Sequence, residues 1–124
     1  MFKDAKAISS FSVDDVPTAT EFYGKTLGLQ ATEKEGLLHL QIAGGGHILV
    51  YPKSNHIPAT FTVLNLPVDN IEQTVKELNQ RNIQLEQYEG DLKTNAQGIA
   101  VVMGNKQAWF KDPAGNILSI MEGS

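Results

Sequence analysis

VDDVPTATEFYGKTLGL, residues 13–29, holds the end of one element, the start of the next and that element's stop. Val13 closes AISSFSV (7–13), a short run with branched apolar ends and loose alternation, which predicts a β-strand. Asp15 is suited to capping a helix, because its carboxylate can accept a first-turn N–H that has no partner within the helix. Pro17 falls in that first turn, where a missing N–H costs nothing. Ala19, Phe22, Tyr23 and Leu27 then recur at helical spacing, and Gly28 ends the run. The stretch reads as strand, corner, helix, stop.

The chain writes the same corner again. VDNI at 68–71 follows VDDV at 13–16 after 68 − 13 = 55 residues. TFTVLNLPV (60–68) predicts the strand before it. Asn70, with Gln73 three residues on, resembles a capping box. Ile71, Val75 and Leu78 form the apolar stripe of the helix that follows. Between the corners, LQATEKE, LLHLQIA and HILVYPK read as strands of a meander, broken at Gly36 and at Gly44-Gly45-Gly46. Beyond the second helix, strands are expected at 83–88, 98–104, 107–111 and 116–121, with a polar loop at 89–97. GGGHILVY (44–51) also aligns with PAGNILSI (113–120) at 115 − 46 = 69 residues. Matches in the same order within similar element strings point to an internal duplication. The expectation is an α+β chain of two modules, 1–55 and 56–124, each close to β-α-β-β-β with its helix on the outer face of its own sheet.

Composition narrows the function. With 124 residues, 41% hydrophobic and 19% charged, the chain can bury a core without covalent staples. Ten basic and 14 acidic side chains give a net charge of −4, which opposes a phosphate-binding surface and hence nucleic acid. The absence of cysteine excludes disulfides, thiolate metal sites and cysteine nucleophiles, and suits a reducing compartment. No stretch approaches a membrane span and MFKDAKAISS has no apolar signal core, so a cytoplasmic protein is expected. No nucleophile elbow, P-loop, dinucleotide fingerprint or HExxH is present.

Together, VDDVPTATEFYGKTLGL, VDNIEQTVKEL and FKDPAGNILSI resemble the vicinal oxygen chelate superfamily, which includes glyoxalase I, extradiol dioxygenases, and fosfomycin- and bleomycin-resistance proteins. The resemblance spans almost the whole chain. It implies paired βαβββ modules with curled mixed sheets around a shared cavity, and commonly a homodimer. Whether modules pair within one chain or across two is left open. Metal-dependent members hold a divalent ion with His, Glu or Gln from four strands. By resemblance those positions fall at Ile8, Val50, Val63 and Ser119, the first and third five residues before the corner valines. Three apolar side chains and one neutral hydroxyl cannot replace such a donor set. A slip of one residue along any of the four strands recovers no His or carboxylate.

Strand alternation predicts the cavity lining. His39 and Gln41 face inward from LLHLQIA. Ser10 and Ser12 project with Ile8, Ile48 with Val50, Phe61 and Asn65 with Val63, and Ile117 and Met121 with Ser119. Trp109 is expected inward in preference to Phe110. No two of His39, His47 and His56 share a spacing that would bring them to one ion. The expected protein takes no cofactor and binds a small, largely apolar organic molecule in a metal-free cavity. The alternative is a metal-independent isomerase, lyase or oxygenase in which His39 transfers the proton.

Overall fold

The computed structural model describes residues 1–123, and the chain divides into two compact units, Met1–Pro58 and Ala59–Ser124. In the first unit the elements are β1 (Ser9–Val13), α1 (Val16–Glu21), β2 (Gln30–Lys34), β3 (Leu37–Ile42) and β4 (Gly46–Pro52). In the second they are β5 (Thr62–Pro67), α2 (Ile71–Gln80), β6 (Ile99–Val102), β7 (Asn105–Lys111) and β8 (Ile117–Glu122). The sheet orders are β1-β4-β3-β2 and β5-β8-β7-β6. In each, the first and last strands of the unit run parallel and the other neighbours antiparallel. The same βαβββ plan is therefore built twice. Among the described residues no helix is long and apolar enough to cross a membrane.

Both corners work as caps. Asp15 Oδ2 accepts from Thr18 N at 3.0 Å and also from the Thr18 hydroxyl, while Asn70 Oδ1 accepts from Gln73 N at 3.0 Å. These bonds to Thr18, the side-chain one foremost, lower the Asp15 pKa from its ordinary value. α1 does not run on as a regular helix to Gly28. Its last turn, Phe22–Thr26, widens to a π-helical turn closed by Leu27 N donating to the Phe22 carbonyl at 2.9 Å. This turn holds Tyr23 fully buried, with its ring packed against Phe11 and Phe22.

Each helix covers one face of its own sheet. Leu38, Leu40 and Val50 are completely buried on the α1 side, as are Ala108, Phe110 and Leu118 on the α2 side. Side chains of this size contribute about 1.5–3 kcal/mol each when removed from water, alanine excepted. The other face of each sheet, the far face, carries Ser12 and His39 in the first unit and Trp109 and Ser119 in the second.

One expected strand is missing. Residues 83–88 form no ladder, although Ile83 and Leu85 are buried. β6 starts only at Ile99, opposite Ala108, and beyond that point Glu86 N donates to the Trp109 carbonyl at 2.8 Å. A single bond of the β7 edge is thus met by an irregular segment that extends the place of β6. Gly98 makes the approach possible. Its φ is +87°, and a Cβ there would lie 2.7 Å from Leu85 Cβ and 3.3 Å from the Glu86 carbonyl. Gly98→Ala should therefore destabilise by about 2–3 kcal/mol through backbone strain and overpacking, measured by urea unfolding.

Candidate functional site

The far face of the second sheet is set by register. Ser119 lies opposite both Asn65 and Trp109, and Met121 opposite Gln107. Ser119 is fully buried; its hydroxyl donates to Asn65 Oδ1 at 2.5 Å and accepts from Gln107 Nε2 at 3.2 Å. The three side chains form a neutral hydrogen-bonded row. Trp109, 5% exposed, is on this face, whereas Phe110 is on the helix side.

The polar loop closes over Trp109. Its N-terminal arm brings Tyr88 edge-on to the indole, with ring centroids 5.3 Å apart. Thr94 ties the loop together, its hydroxyl accepting from Tyr88 N at 3.0 Å and donating to Gln87 Oε1 at 2.8 Å. Phe61, Thr62, Tyr88, Leu92, Trp109 and Ile117 line a cleft of about 390 Å³. Phe61 and Leu92 are 68% and 40% exposed at its edge. Among the described residues, no ionisable group other than the Tyr88 phenol lines it. Burial pushes that phenol above its ordinary pKa of 10.0, and the nearby Glu86 carboxylate adds to the shift. The folded protein thus favours the neutral phenol, so its contribution is intact below about pH 10 and is lost as pH rises beyond that. Tyr88→Phe should flatten the alkaline part of the stability profile, read from urea midpoints on either side of pH 10.

In the first unit the far face carries Ser10, Ser12, His39 and Gln41, together with His47, Leu49 and Tyr51. Ser12 Oγ and His56 Nδ1 are 2.7 Å apart. His39 Nδ1 and His47 Nε2 are 3.1 Å apart, with the rings inclined at 73°. Two histidines therefore do come together, contrary to the reading from spacing. Gln41 pairs with His47 and His39 with Leu49, so the short β3–β4 connection sets the imidazoles diagonally on one face.

The same register corrects the placement of β4. Val50 lies opposite Leu38, and Ile48 opposite Leu40. Both belong to the helix-covered core rather than to the face of His39. Matching the two modules by their strand partners, Phe11 with Val50 and Leu66 with Ile120, gives a repeat of 120 − 50 = 70 residues. The 69-residue alignment is one short, and a one-residue slip exchanges the faces of a strand. The first-module counterpart of Ser119 is thus Leu49. Of the other expected ligand positions, Ile8 precedes β1 and is 58% exposed, while Val63 sits at an irregularity between Thr62 and Leu64.

The sequence model of the Glyoxalase/Bleomycin resistance protein/Dioxygenase superfamily matches residues 8–120. The chain belongs to this superfamily. Solved structures agree on the fold. A lactoylglutathione lyase from Agrobacterium tumefaciens is 19% identical over 99% of this chain and 96% of its own, with a TM-score of 0.70. An antibiotic binding protein from a Streptomyces species is 18% identical over 98% of both chains, with a TM-score of 0.68. An integron cassette protein from V. cholerae is 25% identical over 100% of this chain and 98% of its own, with a TM-score of 0.65. No curated protein matches the sequence.

A divalent ion held by side chains needs imidazole, carboxylate or amide donors converging on one point. The positions that the resemblance implies, Ile8, Val63 and Ser119 with Leu49 in place of Val50, offer no such set of donors. Ile8, Leu49 and Val63 have no donor atom, and the Ser119 oxygen is already engaged on both sides. Among the described residues no group of three or more His, Asp or Glu side chains could hold a metal. Tyr88, Leu92 and Gln107 were not foreseen as site residues. An aromatic and a leucine in an otherwise polar segment were the only signal for the first two.

Proposed function

We propose that this superfamily member binds a small, largely apolar organic molecule in the second-module cleft and does so without a metal ion at the superfamily's usual positions. The aromatic cleft over Trp109 carries the reading. Trp109 and Tyr88 offer aromatic surface, Phe61 and Leu92 add exposed apolar surface, and Thr60 and Thr62 are the polar residues of the lining. The lack of carboxylates among the lining residues disfavours a cationic ligand, whose desolvation would go uncompensated. An antibiotic binding protein of similar fold is consistent with a binding role.

The test is calorimetric titration with neutral aromatic probes such as 2-naphthol, with EDTA present throughout. Saturable binding that EDTA leaves unchanged is expected. Absence of saturable binding across such probes, or binding that needs added Zn²⁺ or Mn²⁺, would sink the reading.

A further inference from the structure

We infer that His39 and His47 form a two-imidazole site for a late first-row divalent ion, Cu²⁺ foremost, on the far face of the first sheet. Nothing in the proposed organic-ligand reading requires it, since the cleft and the histidine pair belong to different units.

The observation is the close approach of His39 Nδ1 and His47 Nε2, at 3.1 Å. At that separation one nitrogen carries a proton and the other offers its lone pair. An ion about 2.0–2.1 Å from both nitrogens would see them at about 100°, between the square-planar and tetrahedral angles. Binding needs no net loss of a proton from the neutral pair. If His39 is the donor, its proton moves from Nδ1 to Nε2, leaving both facing nitrogens as ligands. Turning the rings so that both lone pairs point about 40° off the N···N line replaces the hydrogen bond by two coordinate bonds.

The backbone already holds the pair. β3 and β4 are adjacent antiparallel strands, with Leu38 and Leu40 packed against Val50 and Ile48 on the reverse side. The imidazoles are thus mounted on a rigid two-strand unit, and each is only partly buried. Gln41, the cross-strand partner of His47, and Thr32, that of His39, are the neutral oxygen donors beside the pair in the register, and water would fill the other positions. A donor set of two imidazoles with no carboxylate selects Cu²⁺, then Ni²⁺ and Zn²⁺, over Mg²⁺ and Ca²⁺. This pair lies on β3 and at the start of β4, and includes none of Ile8, Leu49, Val63 and Ser119.

Titration of the purified, EDTA-dialysed chain with CuCl₂ and with NiCl₂, followed by calorimetry and, for copper, electron paramagnetic resonance, tests the site. One equivalent of Cu²⁺ with nitrogen hyperfine structure from two imidazoles is expected, with weaker Ni²⁺ binding and none of Ca²⁺. His39→Ala and His47→Ala should each weaken copper binding at least tenfold, whereas His56→Ala, which removes one partner of Ser12, should not. Circular dichroism of each variant separates loss of the site from loss of the fold, and His39→Gln provides a second, polar replacement. Unchanged one-equivalent copper binding in folded His39→Ala/His47→Ala, or no saturable binding by the natural chain, would overturn the proposal. Neither outcome bears on the 2-naphthol titration, which is run in EDTA.

Discussion

Asp112→Ala should lower stability by about 3–4 kcal/mol, seen as a fall in the urea midpoint with little change in slope. Asp112 is 4% exposed, and its carboxylate organises the turn into β8. Oδ1 accepts from Ala114 N at 2.9 Å and Asn116 N at 2.8 Å, and Oδ2 accepts from Asn116 Nδ2 at 3.0 Å. The backbone closes the same loop, with Asp112 N donating to the Asn116 carbonyl at 2.9 Å and Gly115 N to the Asp112 carbonyl at 3.0 Å. Alanine would remove a charged acceptor from several donors at once, and Asn116 is itself only 2% exposed. A hydrogen bond to a charged group contributes about 1.5–3 kcal/mol, and a buried donor deprived of its acceptor costs a similar amount. The loss would be a large share of the roughly 5–15 kcal/mol typical of a domain. Asp112→Asn keeps one acceptor oxygen and should cost clearly less. Equal losses for the two variants would show that the charge and second oxygen, rather than the turn as a whole, dominate.

Trp109→Ala should cost about 3–5 kcal/mol and weaken binding of a neutral aromatic probe at least tenfold. The indole is the floor of the cleft and the partner of Tyr88, and its own carbonyl accepts the Glu86 N–H that pins the loop. Deleting the ring leaves a void beside Tyr88. Phe110→Ala is the matched control. Phe110 is fully buried on the opposite face of the same strand, so its loss should damage stability comparably and leave probe affinity nearly unchanged in the folded fraction. If Trp109→Ala binds the probe as tightly as the natural chain, the cleft is not the binding site. Trp109 is the single tryptophan, so its fluorescence reports loop opening directly in the natural protein.

Residues within a few positions of one another were sufficient to predict both corners. Asp15 and Asn70 accept N–H groups three residues ahead, and such bonds are local enough to be written in the sequence. The stripe Ile71, Val75, Leu78 likewise predicts the buried side of α2. The repetition of these signals made the paired βαβββ plan legible in the sequence. The extra strand at 83–88 was the main architectural misreading. Its apolar positions are buried as a strand's would be, but its edge meets β7 through one backbone bond rather than a ladder.

The sequence by itself determined the modules and their caps. Only the tertiary structure decided which side of β4 faces the helix, that His39 meets His47, and that the 83–98 segment folds over Trp109. The reason is parity. Alternation within one strand says which residues share a face, but the pairing with a distant strand fixes which face that is.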